Sequence, residues 1–559
     1  MYSFNNKERW ALAGLLLLLV PALLSSLGIV PLYVEEPRRA TVALEMLFRG
    51  NWLVPTINGE YYHLKPPVFN WVLASAYQLA GGPDEFITRL PTVISLILFG
   101  LLIFWAGKKY VSFSFGALSA FLFVTASGNL FFNALLAEID IFYSLVTYAG
   151  LISLFHFYQR KKYFLLFILV YFLGAVGTLT KGLPSLVFTG LSLLAFFIVN
   201  KDFKRLFTLS HLAGIILYLG LVGGYFLAYS LHGDAVQYLH SLTVESGKRL
   251  SGDTFWDYLQ HMALYPLDTL MNLLPVPLLI IFSFRRSFFE VIRGNIFIKF
   301  ALLMLMVHFP VYWLPPGGRQ RYIIMLYPFI VQILTYFYLI YFTKESGKFR
   351  AFSYIITAAI AIGTIACLVP LFVGKMDFIQ NLLPVCLASF ILMMLIFVFQ
   401  LKKPHYSIFS LLFAMVLLRF LFGFTVLQVR ATEGVAPANR QIASEIARIV
   451  QDDEVFLLQP TYLPMQTIFY FEKERGKILP VSKKLEPDRF YIAEKILLTD
   501  YSVYRESNLM NINPARPFSD PFTGDDRVSL SGYDYQVHLD FKLQKRNYYL
   551  LYLKSEIFK

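Results

Sequence analysis

Charge is scarce in this sequence. Only 15% of its 559 residues are Asp, Glu, Lys or Arg, against about 25% in soluble domains. That is too little polar surface to cover several soluble domains of this length. Cysteine is nearly absent. Cys367 and Cys386 both fall in apolar runs, which leaves no disulfide framework and no cysteine-based metal site. There is no phosphate-binding glycine loop and no dinucleotide fingerprint, so a nucleotide-driven pump and an oxidoreductase have no support. His232, His240 and His261 share one loop, but none forms the i,i+4 pairing with an acidic neighbour found in zinc enzymes. They read as solvated histidines. No internal repeat or low-complexity tract is present.

What is abundant is apolar surface, at 57% hydrophobic and 17% aromatic residues. Repeated apolar stretches of about 20 residues read as membrane spans, and a soluble enzyme is excluded. The spans fall at about 10–29, 88–107, 112–127, 140–158, 163–180, 182–200, 208–230, 268–284, 296–314, 322–342, 351–373, 380–400 and 407–429. The first follows Lys7 and Arg9 without a small-x-small cleavage signal and is expected to be an uncleaved anchor.

The net charge of +13 is +14 over residues 1–430 and −1 over residues 431–559. Basicity therefore belongs to the membrane part, and nucleic acid is a poor partner for it. With a cytoplasmic N-terminus, the inner segments hold 18 basic residues, among them Lys108-Lys109, Arg160-Lys161-Lys162 and Lys402-Lys403, against four acidic ones (Glu8, Asp202, Glu290, Glu345). Every short inner loop then obeys the positive-inside rule. Thirteen spans place the tail outside.

The expected architecture is a polytopic α-helical membrane domain over 1–430, with outer loops 31–87 and 231–267, and a small extracytoplasmic α/β domain over 431–559. In the first loop, Arg38–Phe48 and Pro67–Leu79 have the spacing of helices lying on the membrane surface. In the tail, Asn439–Val450 reads as a helix, and Val455–Leu458, Gln466–Tyr470 and Tyr548–Leu553 read as strands.

Polar constellations cluster at the outer ends of spans. Glu35-Glu36-Pro37-Arg38-Arg39 opens the first outer loop, where a carboxylate can take the proton of an attacking hydroxyl. Two adjacent carboxylates raise each other's pKa, and only one of them is expected to serve as base. Lys65, followed by Pro66-Pro67, can meet a lipid phosphate or snorkel to the interface, and Arg89 has the same two readings. Glu138, Asp140 and Lys181 sit at span ends, where ionisable groups usually face a cavity. Lys65, Lys181, Lys248, Arg249, Arg319 and Arg321 together can surround a polyanionic headgroup such as a prenyl phosphate. Arg419, deep in the last span, has no evident partner.

The run Glu35-Glu36-Pro37-Arg38-Arg39-Ala40 through Glu45-Met46-Leu47, then Gly50-Asn51-Trp52 and Pro55, resembles the opening signature of bacterial lipid-A aminoarabinose transferases. It also resembles that of the wider protein O-mannosyltransferase-like group of the GT-C superfamily. The resemblance continues through Tyr61, Lys65-Pro66-Pro67, Trp71, Glu85-Phe86-x-x-Arg89, Asp140, Thr180-Lys181-Gly182, Arg321-Tyr322 and Tyr327-Pro328.

It implies an inverting membrane glycosyltransferase that uses a polyprenyl-phosphate-linked sugar at the outer face of a bacterial inner membrane, with no cofactor. The acceptor class would be an envelope glycolipid, glycan or protein. By the same resemblance, Glu35 and Glu36 occupy the catalytic positions. Arg38, Lys65, Arg89, Asp140, Lys181, Glu245, Lys248, Arg249, Arg319 and Arg321 are expected to bind lipid phosphate or substrate. A monomer is expected.

The departures also count. Glu stands at 35 where the family has Asp, Arg39 replaces a Tyr and Thr41 a Glu. Leu64 and Ser246 stand where the aminoarabinose transferases carry a Glu and a His suited to a metal, so no metal is expected there. A relative with another sugar or acceptor fits better than a strict aminoarabinose transferase. A lipid-linked-sugar flippase is the alternative, and it would call for paired halves with broken helices, which the sequence does not display.

Overall fold

The computed structural model describes residues 1–247, 254–342, 346–495, 498–499, 528–529, 534–544 and 546–554. Lys248 and Arg249 lie outside the described residues. The chain divides into two compact units.

The first unit comprises 1–27, 63–69 and the described part of 89–427, and it is helical. Among the described residues, nine helices are long and apolar enough to cross a membrane, or up to eleven if each of two bent pairs is one span. This makes the chain a polytopic helical membrane protein. The remaining expected spans are the Asn6–Leu24 helix, with Lys7, Glu8 and Arg9 in its first turn, and the Pro184–Val199 helix, only 16 residues long.

One expected span changes shape. The 268–284 stretch is not a straight helix: Phe255–Asn272 runs into Val276–Phe282 across a bend of 103°. Pro275 and Pro277 withhold the backbone donors a continuous helix would need.

With little hydrophobic drive between helices in lipid, close backbone approach and polar contacts hold them. A Cβ on Gly116 would lie 2.5 Å from Lys108 N, so only glycine permits that crossing. Gln332 donates to Tyr148 Oη at 2.9 Å, and Gln400 donates to Ser407 Oγ at 2.8 Å.

The second unit comprises 28–62, 70–88 and the described part of 428–559. Its core joins Leu32, Ala40 and Leu44 of the first loop to Ile442, Ile446, Phe469, Phe471 and Leu550 of the tail. The Glu36–Arg49 helix and the Val435–Val450 helix match their expected spacing, the latter burying Ile442, Ile446 and Val450 at i,i+4 intervals.

A five-stranded mixed sheet runs in the order Val481–Ser482, Val455–Leu458, Arg489–Glu494, Arg546–Lys554, Asp534–Leu543. The first two pairings are parallel and the last two antiparallel. Gln466–Tyr470, expected as a strand, lies instead in the Met465–Arg475 helix. Lys473 and Arg475 occupy its last turn, and Gly476 ends it at φ +64°. These stop signals favour a helix over the β-branched and aromatic content of the run.

Candidate functional site

In the helical unit, charged residues gather at one set of helix ends. Asp140 lies in the first turn of the Ile139–Gln159 helix and Lys181 in the last turn of Tyr163–Lys181. Lys181 Nζ meets Asp140 Oδ1 at 2.5 Å, and both side chains are buried. Arg321 Nη1 donates to Glu138 Oε2 at 2.7 Å, and its Nε lies 4.0 Å from Asp140 Oδ2.

Two anions thus face two cations. The Lys181 ammonium also sits 4.7 Å from the Tyr143 ring centre and 4.9 Å from that of Tyr322. Burial, then the neighbouring Asp140, push the Glu138 carboxyl well above the ordinary range, while Arg321 pulls it down. Lys181 can end its helix this way because Gly182 takes φ +89°, ψ −149°, a conformation closed to side-chain-bearing residues.

The Lys65 segment is fixed nearby by aromatic side chains. Tyr238 Oη donates to the Lys65 carbonyl at 2.7 Å. His63 is hydrogen-bonded to Tyr229 Oη at 2.8 Å and stacks on Tyr238 at 4.8 Å. Burial lowers the His63 pKa against the opposing pull of Asp234, which keeps the ring neutral at pH 7.

Phe69, just past the prolines, packs on Phe142 at 5.9 Å, two residues on from Asp140. On the Ala235–Gly247 helix, Tyr238 contacts the Lys65 segment, Leu242 Cδ2 lies 3.9 Å from the Cβ position of Gly182, and half-buried Glu245 follows on the same face. The structure therefore brings together the side chains of Glu138, Asp140, Lys181 and Arg321, and it ties the Lys65 backbone to the Ala235–Gly247 helix that carries Glu245. The 319–322 turn is held by the Phe255–Asn272 helix, where Thr269 Oγ1 donates to Gln320 Oε1 at 2.9 Å. Arg319 beside it is exposed. Arg89 has another place: 1% exposed, it donates to the Leu27 carbonyl at 2.7 Å and ties down the turn that follows the first helix.

In the second unit the structure separates the two adjacent acids. Glu36 is fully buried, and its Oε2 accepts the Tyr33 N–H at 3.0 Å, a local cap. Glu35 is half-exposed, with Oε2 2.7 Å from Arg38 Nη1. Val34 immediately before it takes φ +59°. For a β-branched residue that is strain of the kind retained at functional sites. Arg39 lies over the Tyr62 ring at 5.5 Å.

Two acids of the resembling motif are structural. Glu45 accepts from Thr56 Oγ1 at 2.6 Å, Asn58 N at 2.5 Å and Gly59 N at 3.1 Å, gripping an Asn-Gly hairpin turn. Burial raises its pKa against those donors. Glu85 pairs with Arg440 at 2.9 Å and accepts from Tyr470 Oη at 3.0 Å. Sequence reasoning missed Glu472, whose carboxyl is pushed well above the ordinary range, first by burial and then by the neighbouring Glu45. Among the described residues, no three of His, Cys, Asp and Glu converge as metal ligands.

Comparison with known proteins adds the family context. Residues 64–226 match the dolichyl-phosphate-mannose-protein mannosyltransferase family. An uncharacterized protein of Aquifex aeolicus is 27% identical over 317 residues, 54% of this chain and 61% of that one. The undecaprenyl phosphate-alpha-4-amino-4-deoxy-L-arabinose arabinosyl transferase 1 of Proteus mirabilis is 30% identical over 189 residues, 33% of this chain and 34% of that one. The chain thus spans less than two thirds of the length of either relative. The crystal structure of ArnT from Cupriavidus metallidurans bound to undecaprenyl phosphate aligns with a TM-score of 0.63 at 17% identity, covering 84% of this chain and 85% of that one.

The chain has the ArnT fold. The aminoarabinose-transferase resemblance read from the motifs is matched by that fold, in which the Asp140–Lys181–Arg321 network joins helix ends that carry those motifs.

Proposed function

We propose that this protein is an inverting membrane glycosyltransferase that moves a sugar from a polyprenyl-phosphate carrier to a hydroxyl or phosphate of an envelope glycolipid, glycan or protein. It acts at the outer face of a bacterial inner membrane, as a monomer of thirteen crossings with the N-terminus inside and the C-terminal α/β domain outside. The observation that carries this reading is the gathering of Asp140, Lys181 and Arg321 at one set of helix ends, with the Lys65 carbonyl held by Tyr238, in a chain of the ArnT fold. That the crystallised ArnT is bound to undecaprenyl phosphate supports a lipid phosphate as the carrier.

In the proposed reaction the acceptor oxygen attacks the anomeric carbon, its proton passes to the Glu35 carboxylate, and the bond from that carbon to the phosphate oxygen breaks. The electron pair leaves on the carrier phosphate. Lys65 and Arg321, the less buried cations of the group, hold that phosphate as its charge grows. Lys181, neutralised by Asp140, positions Arg321 and does not bind substrate. Glu36, committed to the Tyr33 amide, supports the turn that presents Glu35. Glu245, Lys248, Arg249 and Arg319 remain candidates for the rim of the binding site, and Arg38 holds the Glu35 carboxylate in place.

The test is transfer from a labelled prenyl-phosphate sugar by the purified protein in vesicles. Glu35→Gln is expected to lower kcat by about 10²–10⁴, and Lys65→Ala to raise KM for the donor. Unchanged turnover in both variants overturns the assignment. Envelope mass spectrometry with and without the gene then names the sugar and the acceptor.

A further inference from the structure

A cavity of about 580 Å³ opens between the Asn6–Leu24, Leu382–Lys402 and Ser407–Phe424 helices, a volume within the range of small-ligand sites. It takes no part in the chemistry above. Its composition is divided by depth. Lys7, Lys403 and His405 stand at one end, and Phe399 and Phe413 line the interior.

No carboxylate offsets those cations from within the first helix turn. Glu8, adjacent to Lys7, is 1% exposed. It is engaged by Tyr2 Oη at 2.7 Å and by the Asn5 N–H at 2.8 Å. Ser410 also lines the cavity; it is 3% exposed and its Oγ has no hydrogen-bond partner. The neighbouring Ser407 shows what a satisfied hydroxyl on this helix does: it joins Ser353 at 3.0 Å and accepts from Gln400. A buried hydroxyl left unmatched costs about 1–3 kcal/mol, a cost that a small rotation toward a polar group in the cavity would relieve.

Cation, hydroxyl donor and apolar wall follow one another along the cavity in the order of an anionic glycerophospholipid: phosphate, ester carbonyl, acyl chain. We infer that this cavity is a binding site for one anionic phospholipid, with its phosphate on Lys7 and Lys403, an ester carbonyl on Ser410 and one chain along Phe399 and Phe413. Basic pockets between spanning helices bind such headgroups through charge, and the apolar wall supplies the rest.

The test uses the full chain, purified in mild detergent and equilibrated with equal amounts of phosphatidylglycerol and phosphatidylcholine, with retained lipid counted by native mass spectrometry. Phosphatidylglycerol is expected to be retained preferentially. The Lys7→Gln/Lys403→Gln double variant should lower its retention about thirtyfold, toward that of phosphatidylcholine. Ser410→Ala should lower it less, and Ala11→Trp should block the apolar wall and exclude both lipids. Ala11→Trp retention equal to wild type overturns the proposal, as does equal retention of the two lipids by the native protein or no change in the lysine variant. Excess inorganic phosphate should not displace the lipid, and displacement by phosphate alone would mark a simple anion site and reject the lipid. Lys7 and Lys403 are exposed, so their variants are expected to fold, and an unchanged elution profile checks this.

Discussion

In the helical unit, Glu138 and Asp140 face Arg321 and Lys181, acid against base. In the other unit, Glu45 and Glu472 face each other, acid against acid. Apart from Arg321 every member of the two sets is buried, and both remove carboxylates from water, where ionisation would be cheapest. The first sets each acid against a base. In the second, burial and then Glu45 push the Glu472 carboxyl well above the ordinary range, and its Oε2 finds no hydrogen-bond partner. The matched network can respond to an incoming anion, because Arg321 remains a quarter exposed. The acid pair is wholly buried on the Glu36–Arg49 and Met465–Arg475 helices and offers a ligand nothing.

The sharpest way to break the comparison is to remove a cation from the matched set. Lys181→Met leaves Asp140 charged and buried beside one distant guanidinium nitrogen. Stability is expected to fall by about 3–5 kcal/mol, read as a large drop in Tm or lost folded yield in detergent. The double variant Lys181→Met/Asp140→Leu should recover most of that loss, because replacing both partners by apolar groups is far cheaper than orphaning one. If the single variant is as stable as wild type, the pair carries no charge in the folded protein.

The acid pair should respond to pH instead. The Glu472 pKa is raised well above the carboxyl range, first by burial and then by Glu45. A raised acid contributes its stability in full below the unfolded pKa, and loses it as pH climbs toward the folded value. The second unit is therefore expected to loosen from mildly acidic to alkaline pH. Glu472→Gln keeps a donor for Glu45 without needing a proton, so it should flatten that slope, leave Tm unchanged near pH 4 and raise it at pH 8 by the equivalent of about 1–2 kcal/mol. A variant with the wild-type slope would place the proton elsewhere.

These contrasts were only partly legible in the sequence. The spans, the charge asymmetry and the Glu36–Arg49 and Val435–Val450 helices follow from periodicity and caps, which are local. So does the suspicion that Asp140 and Lys181 face a polar interior, since charges at span ends are costly. Their pairing is not local, because 41 residues separate them, and nothing in the spacing of either helix names the other. Glu45 looked like part of a catalytic signature and is a hairpin clamp. Its partner Glu472 lies in a helix that reads as a strand, because aromatic and β-branched residues outweighed the Lys and Gly at its end. Arg89, a cap on a carbonyl 62 residues away, fits either a snorkelling or a phosphate reading until its acceptor is known.

The smallest stability effect is expected at Arg38, and it separates chemistry from architecture most cleanly. Its pair with Glu35 spans one helical turn, with the two side chains 32% and 35% exposed. Such pairs stabilise by only about 0.2–0.5 kcal/mol. Arg38→Ala should therefore leave Tm within that margin. If Glu35 is the base, losing the guanidinium that holds its Oε2 at 2.7 Å leaves the carboxylate free to turn, so kcat is expected to fall by about tenfold while Tm stays put. A purely structural role for Arg38 would leave kcat where it was, while Arg38→Lys, which restores a charge but not the planar fork, should bring it partly back.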